Sequence, residues 1–109
     1  MQPSRYVLAL TVVAAFSTAA FAADGKAIFL AQTCNQCHSI DSQGVAKTSD
    51  KIKAPDLSNA AKLAESADWL KKFLKKEVDH NGKKHLREFK GTDEELDTVA
   101  KWLASLKTS

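Results

Sequence analysis

Beyond Met1 the chain has no methionine, and its 109 residues include only two cysteines, two prolines, one tyrosine and four glycines. Past the initiator, thioether sulfur is therefore excluded as a metal ligand. Cys34 and Cys37 are the only side chains able to tie the chain covalently. No internal period of roughly 20–50 residues recurs, and neither strand-like alternation nor a low-complexity tract appears, which excludes a repeat array and argues against a sheet protein. Charge of one sign is also scarce. The 16 basic side chains stand against 13 acidic ones, are mixed with them along the sequence, and leave a formal charge of +3. That balance does not form the dense basic stripe of a nucleic-acid binder. With 44% hydrophobic and 27% charged residues the length suits one small domain and excludes a multidomain enzyme.

The amino-terminal segment reads as an export signal. Arg5 is followed by an apolar run over residues 6–16 and then by the small-residue sequence Ala20-Phe21-Ala22. The run is shorter than the roughly 20 residues of a bilayer-spanning helix, and it ends in Ser, Thr and Ala rather than a basic flank. We expect residues 1–22 to be a cleaved signal peptide and residues 23–109 to form the mature domain, with no membrane span after processing. An uncleaved anchor is the alternative. Export implies a periplasmic, oxidising environment, and a domain this small then needs a staple or a large buried prosthetic group.

The mature segment carries helical signals throughout. Asp24 caps a first helix reaching about residue 33, with Ile28, Phe29 and Leu30 as its apolar side. Residues 39–59, with Gly44 and Pro55 and no sustained period, read as a loop wrapped over whatever orders it. A short helix is expected over 60–63. Another starts near Ser66, buries Leu70, Phe73 and Leu74, points Lys71, Lys72, Lys75 and Lys76 away, and closes at the Asn81-Gly82 turn. The last helix has the clearest signature: Thr92 and Glu95 form a capping box, and Leu96, Val99, Leu103 and Leu106 repeat at three-and-four spacing, widened by Ala100 and Trp102. Between these two helices lies a loop with His85, Leu86 and Phe89. The fold class is all-α.

Cys34-Asn35-Gln36-Cys37-His38 is the C-x-x-C-H pattern of covalent haem attachment. In a helical turn, residues three apart share a face, so both thiols can add across the two vinyl groups of one haem as thioethers. His38 then lies beneath the ring centre with its imidazole aimed at iron. Two other chemistries share part of this residue set. A bare C-x-x-C occurs in disulfide oxidoreductases, but there it opens a helix after a strand, and no strand precedes Cys34. A disulfide across three residues would add little stability and leave His38 without a role. Cys34, Cys37, His80 and His85 also make a nominal zinc set, against which stands the long interval from Cys37 to His80.

On these residues the chain resembles the small class I c-type cytochromes, secreted monohaem electron carriers with a few short helices wrapped around one covalent haem c. The resemblance spans nearly all of the mature segment. It aligns Asp24-Gly25 through Phe29 with the family's first helix, whose small residue and aromatic pack across the last helix. It aligns Ala54-Pro55-Asp56-Leu57 with the loop whose proline carbonyl accepts a hydrogen bond from the proximal imidazole, making Pro55 the partner of His38. Trp69 stands where the family often has an aromatic near the haem edge.

The departure is distal. The family's methionine-bearing loop reads here Lys84-His85-Leu86-Arg87-Glu88-Phe89-Lys90-Gly91, with His85 in the methionine's place. The resemblance thus implies iron held by His38 and His85. His80 is the rival ligand, although a cationic role at a helix C-terminus is the simpler reading for it. Lys83 or Lys84, or an open sixth position, are the other options.

Two imidazoles imply a low potential and no vacant site for substrate, hence a one-electron carrier rather than an enzyme. The alternative function is a gas-binding or sensing haem module with a labile sixth ligand. The lysines of residues 71–76 and 83–84 form either a docking face for an acidic redox partner or an ordinary solvated surface.

Overall fold

A computed structural model describes residues 17–108, with the backbone alone for 17–23. Residues 1–16 of the expected signal peptide lie outside the described residues. Among the described residues four α-helices follow in order: α1 (Ser17–Ala31), α2 (Ala60–Leu63), α3 (Ala67–Leu74) and α4 (Asp93–Ala104). Among the described residues the only extended pairings are two isolated bridges, Ile40 with Val45 and His80 with Lys83.

Helix α4 starts as its sequence dictates. The Thr92 hydroxyl accepts from the Glu95 N–H at 3.1 Å, and the Glu95 carboxylate accepts from the Thr92 N–H at 2.8 Å. This satisfies two amide donors that have no partner within the helix. Its inner face buries Leu96, Val99, Ala100, Trp102 and Leu103. Leu106 lies beyond the last helical turn yet stays buried.

Helix α1 crosses α4 at Gly25. A β-carbon placed there would come within 2.5 Å of the Trp102 Cβ, so only glycine lets the helices approach this closely. One turn further on, Phe29 meets Trp102 edge to face, with ring centroids 6.0 Å apart. Helix α1 begins before Asp24, which is therefore not its cap. The alanine-rich run through residues 19–23 favours helix and offers no break there.

Helix α3 begins at Ser66, whose hydroxyl accepts from the Trp69 N–H at 3.0 Å. It ends at Leu74, earlier than the Asn81-Gly82 turn, because Lys76 adopts a left-handed conformation (φ 62°). Asn81 and Gly82 both have positive φ and instead form the tight turn that pairs His80 with Lys83. Lys71 of α3 and Lys75 just beyond it do not simply point away. Lys71 meets Asp97 of α4 at 3.1 Å and Asp68 at 3.5 Å, and Lys75 lies 3.7 Å from Glu88.

Residues 39–59 form the expected irregular segment, ordered partly from within and partly by the cysteine turn, whose Asn35 and Gln36 carbonyls accept from the Thr48 and Ser49 amides at 2.9 and 3.2 Å. Ile40 and Val45 bridge around Gly44, whose φ is 71°, and both side chains are buried. The segment is fastened to α1 by Lys26, which donates to the Gln43 carbonyl at 2.9 Å.

Candidate functional site

After α1 the chain turns through Thr33, which takes a left-handed conformation (φ 55°), directly into a 3₁₀ turn over Cys34–Gln36. The Cys37 and His38 amides both donate to the Cys34 carbonyl, at 3.2 and 3.1 Å. This short helical coil is the local geometry that puts residues three apart on one side. Neither cysteine is in a disulfide. Burial pushes the Cys34 thiol up to about 11 against the lowering effect of Arg87, so it is protonated at neutral pH, unlike the activated thiolate of a disulfide oxidoreductase.

Cys34, Cys37 and His38 form part of the wall of a cavity of about 420 Å³. Helix α3 contributes Trp69 and Phe73, and His80 and His85 lie in the lining as well. The structure thus brings the sequence-derived candidates, Pro55 included, around one space. Leu63 and Ile52 also line it while remaining 40% and 36% exposed, the pattern of a core that a planar apolar group completes. The volume is in the range of small-molecule and cofactor sites, roughly 300–1,000 Å³.

His38 Nδ1 donates to the Pro55 carbonyl at 2.7 Å. Burial lowers the His38 pKa from its ordinary value, against the opposing effect of that hydrogen bond, so the ring is neutral at pH 7. Pro55 is held in turn by its neighbour. The Asp56 carboxylate accepts from the Ser39 hydroxyl at 2.7 Å and the Asp41 amide at 3.0 Å on one oxygen, and from the Ser58 amide at 2.8 Å on the other. Burial alone would raise the Asp56 pKa, yet these bonds outweigh it and hold the carboxyl well below the usual range.

Across the cavity, His85 Nδ1 donates to the Arg87 carbonyl. Burial lowers the pKa of this imidazole too. The rings of His38 and His85 are nearly parallel, 6° apart, with centroids separated by 6.3 Å. Phe73 meets the His85 ring edge-on at 5.2 Å. His80 is placed differently: its ring lies against Trp69 at 5.7 Å and Phe73 at 6.0 Å. It is also outside the C-terminus of α3, which removes the helix-dipole role considered for it. Among the described residues no group of three or more His, Cys, Asp or Glu side chains could hold a metal ion, so the zinc set is not assembled.

Residues 22–107 match the cytochrome c family. The chain belongs to that family. No curated protein and no solved structure matches it. Cytochromes c carry covalently attached haem c with its iron, and the residues here fit that group: two unbridged thiols three apart and an adjacent neutral imidazole, all on an apolar cavity. The family assigns a haem-based electron carrier with redox partners. Among the described residues no helix is long and apolar enough to cross a membrane.

Two polar residues of the cytochrome, Arg87 in the cavity wall and Asp56 behind Pro55, are not evident as site residues from the sequence. The signal for Asp56 is its place between Ser39 and Ser58 in a serine-rich segment, where local donors can satisfy a carboxylate. Arg87 gave no local signal, because its partners lie more than fifty positions away in sequence.

Proposed function

We propose that this protein is an exported one-electron carrier in which Cys34 and Cys37 hold the haem through thioethers and His38 and His85 hold its iron from opposite sides. The observation that carries this reading is the pair of parallel imidazoles 6.3 Å apart. With metal–imidazole bonds of about 2.0 Å, this spacing leaves room for one metal ion between the two rings, and His38 and His85 would be the residues that hold it. Each Nδ1–H is engaged by a backbone carbonyl, Pro55 for His38 and Arg87 for His85, which leaves each Nε2 lone pair for the metal. Those hydrogen bonds also fix the ring orientations and raise their basicity.

When bound, haem supplies an iron that alternates between ferric and ferrous states by one electron. The chain's part would be to keep His38 and His85 both available to that iron in either state. Burial keeps the two imidazoles neutral and able to ligate, and Phe73 restrains the His85 ring. Held by both imidazoles, the haem would offer substrate and dioxygen no place to bind and would supply outer-sphere transfer of one electron. Methionine ligation raises haem potentials, and axial ligands together move them over about 0.8 V, so two imidazoles select a low potential. Lys53 and Lys83 at the cavity give the mouth a positive character suited to an acidic redox partner. The site of action is the periplasm, reached through cleavage of the 1–22 leader.

The test is an oxidised and reduced absorption spectrum of the exported protein, a pyridine haemochrome assay and a redox titration. The proposal expects covalent haem, low-spin iron in both states and a potential below that of methionine-ligated relatives. Extractable or absent haem would refute the attachment. A high-spin ferrous form that binds carbon monoxide rapidly would replace the carrier by a gas-binding module.

A further inference from the structure

The loop that presents His85 has little holding it from within. Residues 84–91 contain no helix, and Leu86 beside His85 is 69% exposed. Its far end is held on α3, where the Phe89 N–H donates to the Leu74 carbonyl at 2.9 Å and Glu88 lies 3.7 Å from Lys75, and Lys84 pairs with Asp79 at 3.1 Å, but its tie to the cysteine turn comes from one side chain. The Arg87 guanidinium donates through Nη1 to the Gln36 side-chain oxygen at 2.8 Å, and through Nη2 to the Gln32 carbonyl at 3.0 Å and the Thr33 hydroxyl at 2.8 Å. A second tie runs beside it, from the Lys90 N–H to the Gln32 side-chain oxygen at 3.2 Å.

These acceptors belong to the end of α1 and to the cysteine turn itself: Thr33 immediately precedes Cys34, and Gln36 lies between Cys34 and Cys37. Thr33 is also a β-branched residue at positive φ, a strained conformation that persists only where its surroundings hold it. The carbonyl of the same Arg87 accepts from His85 Nδ1. One residue thus grips the cysteine turn with its side chain and orients the distal imidazole with its backbone.

We infer that Arg87 is the positioning residue that keeps His85 on the iron, by strapping the distal loop to the segment that anchors the haem. The inference rests on the reading of His85 as the distal ligand. Arg87 would act through His85 rather than on the haem itself, by setting how often the loop opens. A planar fork with several donors suits this task, since it spans three acceptors at once where a lysine ammonium has a single charged centre.

The test measures carbon monoxide binding to the ferrous holoprotein, together with the ferric spectrum, for wild type, Arg87→Ala, Arg87→Lys and Gln36→Ala. Opening of the loop precedes gas binding, so loss of the strap raises the binding rate in proportion to the open fraction. Arg87→Ala is expected to bind the gas at least about tenfold faster, a fold-change equivalent to about 1.4 kcal/mol. Arg87→Lys should recover part of the wild-type rate. Gln36→Ala, which removes one of the three acceptors and leaves the arginine, should fall between wild type and Arg87→Ala and covers the case in which Arg87→Ala does not fold.

Gly25→Ala, which weakens the distant crossing of α1 and α4, should leave the rate unchanged; a matching increase there would reduce Arg87 to a general stabiliser and overturn the assignment. A rate within twofold of wild type in both Arg87→Ala and Gln36→Ala would overturn it as well. A wild-type protein whose gas binding is unaffected by His85→Ala would remove the distal ligand and this inference together, an outcome distinct from a strap that does not matter.

Discussion

Replacing Asp56 by asparagine tests whether the loop carrying Pro55 is built around one carboxylate. An asparagine can keep its carbonyl oxygen toward the Ser58 amide, but it puts an NH₂ where the other oxygen accepts from the Ser39 hydroxyl and the Asp41 amide. Two hydrogen bonds to a charged acceptor are lost, each worth about 1.5–3 kcal/mol in favourable settings. The carboxylate is partly solvated, which discounts the sum to about 2–3 kcal/mol. For a domain of this size that lowers the midpoint of thermal unfolding by about 10–20 °C.

The pH dependence carries the sharper signature. The folded pKa of Asp56 is depressed, so its contribution is fully present above the unfolded carboxylate value of about 3.9 and is lost as pH falls toward the folded one. The gap between wild type and Asp56→Asn should be constant from pH 7 down to about 5 and close only below about pH 4. Thermal unfolding of the ferric protein followed by circular dichroism across that range is the assay. A variant within about 0.5 kcal/mol of wild type at pH 7, or a gap that persists undiminished at the acid end, would refute the reasoning.

Other expectations follow from the same geometry. Gly25→Ala puts a methyl group into the Trp102 side chain and should destabilise by about 1–3 kcal/mol in denaturant unfolding while leaving the haem spectrum in place; a neutral effect would mean the helices do not meet so closely. Electron transfer from a small anionic reagent should slow as ionic strength rises past about 0.1 M, where the screening length falls to about 10 Å, and a cationic reagent should not show that slowing. Equal salt dependence for both would remove the positive mouth.

The parts of the fold legible from sequence were those set by local rules. The capping box of Thr92 and Glu95, the Ser66 cap and the buried stripe of Leu96, Val99 and Leu103 each depend on residues within a turn or two, and each stands in the structure as read. The cysteine turn and the Asn81-Gly82 turn belong to the same class. What was not legible depends on distant partners. Helix α3 stops at Leu74 through the conformation of Lys76, and the Phe89 amide then caps the Leu74 carbonyl at 2.9 Å from the distal loop. Lys71 and Lys75 read as solvated until α4 and Glu88 bring carboxylates to them. Likewise, no periodicity announces that Arg87 reaches Gln32, Thr33 and Gln36. The parallel arrangement of His38 and His85 is also tertiary, since two separate loops must each place a carbonyl behind its ring.

The ferric electron paramagnetic resonance spectrum of the His85→Ala holoprotein is the most direct measurement of how the iron is held. If His38 and His85 grip the metal from its two faces, the low-spin signal of the wild type gives way to a high-spin one in the variant. A low-spin signal that survives the substitution unchanged would contradict the account and pass the distal role to another side chain.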